Sequence, residues 1–168
     1  DDFIIIDRLV HASIVDAARL CGAKLQVFAH NDLGNLESVL QRLAPRGGRK
    51  LIVTESLFSM DGDTAPLREI IALKDRFGAW LMVDEAHATG VFGEELRGLG
   101  EELGITARIE VQMGTLGKTI GAAGGFIAGS RALIDLLVNQ ARSFIFSTAP
   151  TPATAAAARA GVALLQTE

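Results

Sequence analysis

Along the chain, short runs of consecutive apolar residues alternate with longer stretches in which apolar positions return every three or four residues. The first pattern marks a strand covered on both faces, the second a helix with one buried face. On this reading Phe3–Asp7 (FIIID) is a buried strand, followed by a helix over about His11–Leu20. Lys24–Ala29 is a second strand, and Leu33–Leu43 a helix with its leucines and valine at 33, 36, 39, 40 and 43. Arg46-Gly47-Gly48 punctuates the chain before a third strand begins at Leu51–Val53. A helix over Pro66–Phe77 follows, with the proline in its first turn, where a missing N–H is harmless. Ala79–Val83 (AWLMV) is a continuous apolar run ending in Asp84. Further strands are predicted at Ile109–Met113, Gly125–Ala128 and Phe144–Phe146, with a helix over about Arg131–Asn139. The last helix, alanine-rich over Ala153–Ala160, is predicted to be capped by Thr151 with Pro152 in its first turn.

Repeated strand–helix–strand order makes this an α/β domain with a mostly parallel sheet flanked by helices. In such sheets ligands sit at the carboxyl ends of the strands, so chemistry is sought there. The 168 residues suffice for one domain with a real core. A net charge of -4 spread along the chain lacks the concentrated basic face that a nucleic-acid partner requires. No apolar run is long enough to span a membrane. Cys21 is the only cysteine, which excludes an internal disulfide and fits a reducing, cytoplasmic compartment; it reads as a buried small hydrophobe. The chain opens on Asp1-Asp2 rather than Met and ends in a predicted helix, and so reads as a piece of something longer.

Lys118 is the first candidate for chemistry. It is the only charged residue between Glu110 and Arg131, and its neighbours (MGTLGKTIGAAGGF) are small or apolar. Such a setting disfavours the ammonium form and frees the amine as a nucleophile for a Schiff base. The plainer reading is a lysine snorkelling from a loop or binding a phosphate. Lys24, Lys50 and Lys74 sit among polar neighbours and read as surface. Asp84 ends a five-residue apolar run at a strand's carboxyl end, where it could pair with a pyridine nitrogen. His87 is three residues on, within reach of the same ligand; with three histidines and no cysteine cluster, a metal site is poorly supported. Thr115, placed in a glycine-flanked turn, offers a hydroxyl to a phosphate or simply forms the turn. Ser59 lies in the loop Phe58–Asp63, whose aspartates read as structural, and His11 reads as an ordinary helix-start residue.

Asp84–His87 also spells D-E-A-H and Gly117–Thr119 spells G-K-T, the marks of a helicase-type ATPase. A phosphate loop of that kind needs a glycine where Gln112 stands, and it must lead straight into a helix. Here a strand is predicted next, and the two motifs come in the reverse order, so this reading fails.

Taken together the motifs resemble one family. LVHAS (Leu9–Ser13), FAHND (Phe28–Asp32), TESLFSMDGDTAPL (Thr54–Leu67), LMVDEAHATGVFGE (Leu81–Glu94), GTLGKTIGAAGGFIAG (Gly114–Gly129) and FIFSTAPTP (Phe144–Pro152) are similar, in order, to the α-oxoamine synthases. These are pyridoxal 5'-phosphate (PLP) enzymes with the fold of aspartate aminotransferase, and the resemblance covers essentially the whole chain. It implies that residues 1–168 are the central part of the PLP-binding large domain, with the N-terminal segment and the small C-terminal domain outside it. It implies Lys118 as the cofactor-holding lysine and Asp84 as the partner of the ring nitrogen. His87 and Ser59 would hold the ring's phenolic oxygen, Thr115 the phosphate, and His11 would stack on the ring, against its ordinary reading. Ser147 and Thr148 would reach a phosphate across the interface of a homodimer. The implied reaction is a decarboxylative condensation of an amino acid with an acyl-CoA, with L-alanine and a pimeloyl thioester favoured as substrates; a related synthase that uses glycine or serine, and a truncated, non-catalytic PLP-fold protein, stay open beside it.

Overall fold

A computed structural model describes residues 1–167. Six strands form a single sheet in the order β2-β1-β3-β4-β5-β6. Strands β1 (Phe3–Asp7), β2 (Lys24–Phe28), β3 (Lys50–Glu55), β4 (Trp80–Asp84) and β5 (Val111–Thr115) run parallel, and β6 (Gly125–Gly129) pairs antiparallel with β5. From β1 the chain first steps outward to β2, then returns to the other side of β1 as β3. This reversal opens a crevice outside the carboxyl ends of the strands, the usual ligand position in such sheets.

Helices α1 (Ala12–Leu20), α2 (Leu33–Leu43) and α3 (Leu67–Phe77) make the crossovers between β1 and β4. One sheet face carries Phe3, Ile5, Ile52, Leu81 and Val83, and packs against Leu36, Leu40 and Leu43 of α2 and Ile70 of α3. The opposite face carries Ile6 and Val53 and receives Ile14 of α1. The period-two alternation of each strand thus feeds two separate cores. Helix α2 spans the predicted residues, because its apolar stripe sets the register and the Asp32 side chain accepts the Asn35 N–H at 2.8 Å as its cap. Short α4 (Leu99–Glu102) leads into β5, while α5 (Arg131–Gln140), α6 (Arg142–Ile145) and α7 (Pro152–Leu165) follow the sheet and bury none of their residues.

Several expectations change. Phe144–Phe146 is not a strand: Phe144 and Ile145 end the single turn α6 and Phe146 caps it, because the N–H groups of all three are already satisfied by carbonyls of the preceding turn. Strand β5 lies two residues later than expected, so Thr115 ends a strand rather than sitting in a turn. Pro66 stands just before α3, at its cap. Cys21 is exposed: it follows the last residue of α1, where Gly22 turns the chain toward β2. Among the lysines the expected burial is reversed. Lys50 and Lys74 are buried, and Lys74 Nζ lies 2.6 Å from Glu110 Oε1, whose other oxygen takes the Leu81 N–H. Polar sequence neighbours marked Lys74 as surface, but helical spacing turns it inward onto an acid from a distant segment. Lys118 is exposed, because glycines and alanines are apolar without the bulk to cover a lysine.

Candidate active site

Asp84 ends β4 and His87 follows in a tight turn, in which Ala86 N–H donates to Asp84 Oδ1 at 2.8 Å. The loop from β5 to β6 carries Lys118 back over this turn. Gly90 adopts φ +82 and lies so close to Thr119 that any Cβ there would collide with the threonine side chain. That contact seats Lys118 beside His87, with Nζ 2.8 Å from His87 Nε2. Burial and the neighbouring Lys118 charge both push the His87 pKa down, so the neutral imidazole accepts a hydrogen bond from the ammonium.

Asp84 is 5% exposed, and burial raises its carboxyl above the ordinary value despite the Ala86 N–H and the nearby Lys118 charge. Lys118, His11, His87 and Asp84 therefore converge on one place at the carboxyl ends of β1, β4 and β5. Beside Asp84 in the strand register sits Glu55, also 5% exposed. Its carboxyl is raised by burial first and by the Asp84 charge second, and is opposed by the His11 N–H and the charges of His11 and Lys118. Sequence reasoning missed Glu55 as a site residue; its place two residues after the apolar run Leu51–Val53, near a strand's carboxyl end, was the available signal. Among the described residues neither carboxylate has a cationic side chain within ion-pair distance. A protonated ring nitrogen is the kind of group this buried acidic pair lacks.

His11 caps α1: its Nδ1 accepts the Ser13 N–H at 3.2 Å and lies 2.7 Å from Ser13 Oγ. The ring is exposed on the site side, so capping and facing the crevice are compatible. Thr115 receives the Gly117 N–H at 3.1 Å and donates to Gly124 O at 3.2 Å, which closes the base of the lysine loop. Ser59 is exposed in a loop whose ends are joined by the Leu57–Thr64 bridge. Ser147 and Thr148 are exposed between α6 and α7, and no hydrogen bond joins them to Lys118, His87 or Asp84.

A second polar cluster, also missed from the sequence, lies at the ends of β1 and β2. Fully buried Asp7 accepts the Leu9 and Asn31 N–H groups at 2.8 and 2.9 Å. His30 stands between Asp7 and Asp63, with Nδ1 at 3.0 Å and Nε2 at 2.9 Å from their oxygens. His30, Asp61 and Asp63 bring one potential metal-ligand atom each to within 4.8 Å, but both ring nitrogens of His30 are already engaged by carboxylates. Among the described residues, no helix is long and apolar enough to cross a membrane.

The model of the aminotransferase class I and II family matches residues 1–167. The 8-amino-7-oxononanoate synthase of Geotalea daltonii is 51% identical over 99% of this chain, and that of Anaeromyxobacter sp. (strain K) is 52% identical over all of it. The chain spans only 42% of the length of these two relatives. Among solved structures, a serine palmitoyltransferase of S. paucimobilis with a bound PLP–myriocin aldimine superposes with a TM-score of 0.94 at 35% identity. It matches 99% of this chain and 43% of its own. The 8-amino-7-oxononanoate synthase of Francisella tularensis superposes with a TM-score of 0.82 at 30% identity, over 99% of this chain and 47% of its own. Both enzyme names fall within the α-oxoamine synthases that the motifs resemble, and the chain belongs to the aminotransferase class I and II family.

Proposed function

We propose that this chain is the central part of the large domain of a PLP-dependent acyltransferase of the α-oxoamine synthase type, with Lys118 as the cofactor-holding residue. The observation that carries the reading is the Lys118 Nζ–His87 Nε2 contact at 2.8 Å beside the buried, cation-free Asp84. When bound, the cofactor supplies an aldehyde for covalent attachment and a cationic ring that accepts the electron pair left at a substrate carbon. Asp84 would pair with the ring nitrogen and hold its proton, and the burial of Asp84 would strengthen that pairing. His87 and Ser59 would hold the phenolic oxygen, and Thr115 would hold the phosphate together with Ser147 and Thr148 from across a homodimer interface. His11 would stack on the cofactor ring and help to orient the substrate. Lys118 Nζ takes the substrate's α-proton and later returns one, and neutral His87 is placed to hold that amine in position.

The favoured reaction joins L-alanine to a pimeloyl thioester and releases 8-amino-7-oxononanoate, CoA and CO2, a step of biotin biosynthesis in the cytoplasm. The names of the relatives at 51% and 52% identity support it. The serine palmitoyltransferase superposition supports a second reading, a related synthase acting on serine or glycine. Shared fold speaks less to substrate than shared sequence does, so alanine is preferred. The homodimer is supported by the exposed Phe144 and Phe146, large apolar rings in the same segment as Ser147 and Thr148.

Two measurements on the full-length protein test the reading. Borohydride reduction after PLP loading should fix the pyridoxyl group on Lys118; label found chiefly on Lys24, Lys50 or Lys74 removes the assignment. CoA release should be fastest with alanine and a pimeloyl thioester; a preference for serine or glycine selects the second reading.

A further inference from the structure

Asp7 and Asp63 come from distant parts of the chain, and each controls a segment of the proposed site. Asp7 ends β1 and accepts the Leu9 N–H at 2.8 Å, which shapes the turn into His11. Asp63 lies in the Ser59 loop, where its carbonyl accepts the Phe58 N–H at 3.0 Å. His30 is the side chain between them, and the Phe58 ring meets it edge-on at 4.5 Å between centroids. An ionised carboxylate only accepts hydrogen bonds, so both contacts are satisfied only if both ring nitrogens carry protons. A neutral imidazole has one N–H and would turn a lone pair toward one of the two acids.

The surroundings favour the charged ring. The titratable groups facing His30 are Asp7 from β1 and Asp61 and Asp63 from the loop, all acidic. Among the described residues, no lysine or arginine forms an ion pair with Asp7 or Asp63. Asp63 Oδ1 has no partner, so its charge relies on the donors at Oδ2, which are His30 Nε2 and Asn31 Nδ2 at 2.9 and 2.8 Å. Burial works against the charge on His30, but the hydrogen bonds and charges of Asp7 and Asp63 outweigh it and raise its pKa above the ordinary 6.5. Asn31 completes the corner in a left-handed conformation, φ 52, held by its N–H to Asp7 and its amide to Asp63.

We propose that His30, as an imidazolium bridging Asp7 and Asp63, is the positioning residue that fixes the Ser59 loop against the His11 turn, and that losing its proton releases the loop. When one proton leaves, the remaining N–H stays with Asp7, because Asp7 is fully buried and no water can replace the bond. Asp63 is 43% exposed in its side chain and can turn to solvent. Only the consequence for PLP chemistry rests on the proposed function; the bridge itself is a property of the chain with or without cofactor.

The test uses the full-length protein, cofactor-free and PLP-loaded. Ring nitrogen-15 NMR, assigned by the loss of one signal in His30→Gln, should show His30 doubly protonated at pH 6. Hydrogen exchange at the amides of 57–64, corrected for intrinsic rate, should lose roughly tenfold in protection as His30 titrates, about the worth of one charge-assisted hydrogen bond. In His30→Gln the loop should be equally unprotected across that range. In Asp63→Asn the amide can donate to a neutral Nε2, so protection should persist and its pH dependence disappear. A single neutral tautomer at pH 6, loop protection indifferent to pH in the wild type, or pH dependence surviving in Asp63→Asn each overturns the proposal. Borohydride mapping on the same samples reports separately on the cofactor assignment, so failure of one reading is not mistaken for failure of the other.

Discussion

His11 joins two roles that mutation can separate. As the cap of α1 it accepts the Ser13 N–H at 3.2 Å, and as an exposed ring at the crevice it is proposed to lie on the cofactor. Removing a side-chain cap costs about 1 kcal/mol, a melting shift of no more than about 4 °C in a protein of this size or larger. Losing a ring that orients the reacting bond acts on the barrier instead. If orientation contributes about 3–4 kcal/mol there, the rate falls by roughly 10²–10³. Three substitutions in the full-length protein separate the terms. His11→Ala removes both, so it should melt slightly lower and turn over slowly. His11→Asn keeps a good cap without a ring, so its melting temperature should return to near wild type while turnover stays low. His11→Phe keeps a ring without the acceptor, so it should melt like the alanine variant and regain part of the rate. The assay is a melting curve paired with a single-turnover rate for each variant. Wild-type turnover in His11→Asn would refute the stacking role and leave His11 as a cap alone.

Asp84→Asn in the full-length protein should keep its fold and its pyridoxyl-labelled Lys118, since it removes a buried charge at a strand end. Turnover should fall by about two orders of magnitude or more; near-normal kcat means that the carboxylate is structural. Glu55 titrates above its ordinary 4.5, so the fold binds this proton more tightly than the unfolded chain does. Its stabilising contribution is complete below that ordinary value and is lost as pH rises through the folded value. Cofactor-free protein should therefore lose urea resistance over that interval, and Glu55→Gln should make the loss shallower, the remainder belonging to Asp84, which burial also raises; an unchanged slope contradicts the assignment. Leu40→Ala, in the α2 core with no exposed surface, should cost about 2–5 kcal/mol in a denaturant titration without altering the Lys118 label. A smaller cost shows that the core around α2 collapses to fill the space.

The sequence by itself determined the elements whose signal is local. The apolar runs before Asp7 and Asp84, the run Leu51–Val53 and the stripe of Leu33–Leu43 carry their own periodicity, and each appears as strand or helix in place. The place of Asp84 at a strand's carboxyl end was legible for the same reason, since the end of a buried strand can be read from the run before it. Burial of individual polar residues was not legible. Lys118 stands among apolar letters yet is exposed, and Lys74 stands among polar letters yet is buried on Glu110, 36 residues away. Sequence neighbours do not report side-chain direction on a helix or the size of the groups that cover a loop. Phe144–Phe146 reads as strand because three apolar letters fit either period, and hydrogen bonds to the preceding turn made it helical. The pairing of Glu55 with Asp84 and the His30 bridge from Asp7 to Asp63 depend on strand order and on loops that meet only after folding. Such contacts between distant segments are fixed by the packing of the sheet and its helices, and no local pattern encodes them.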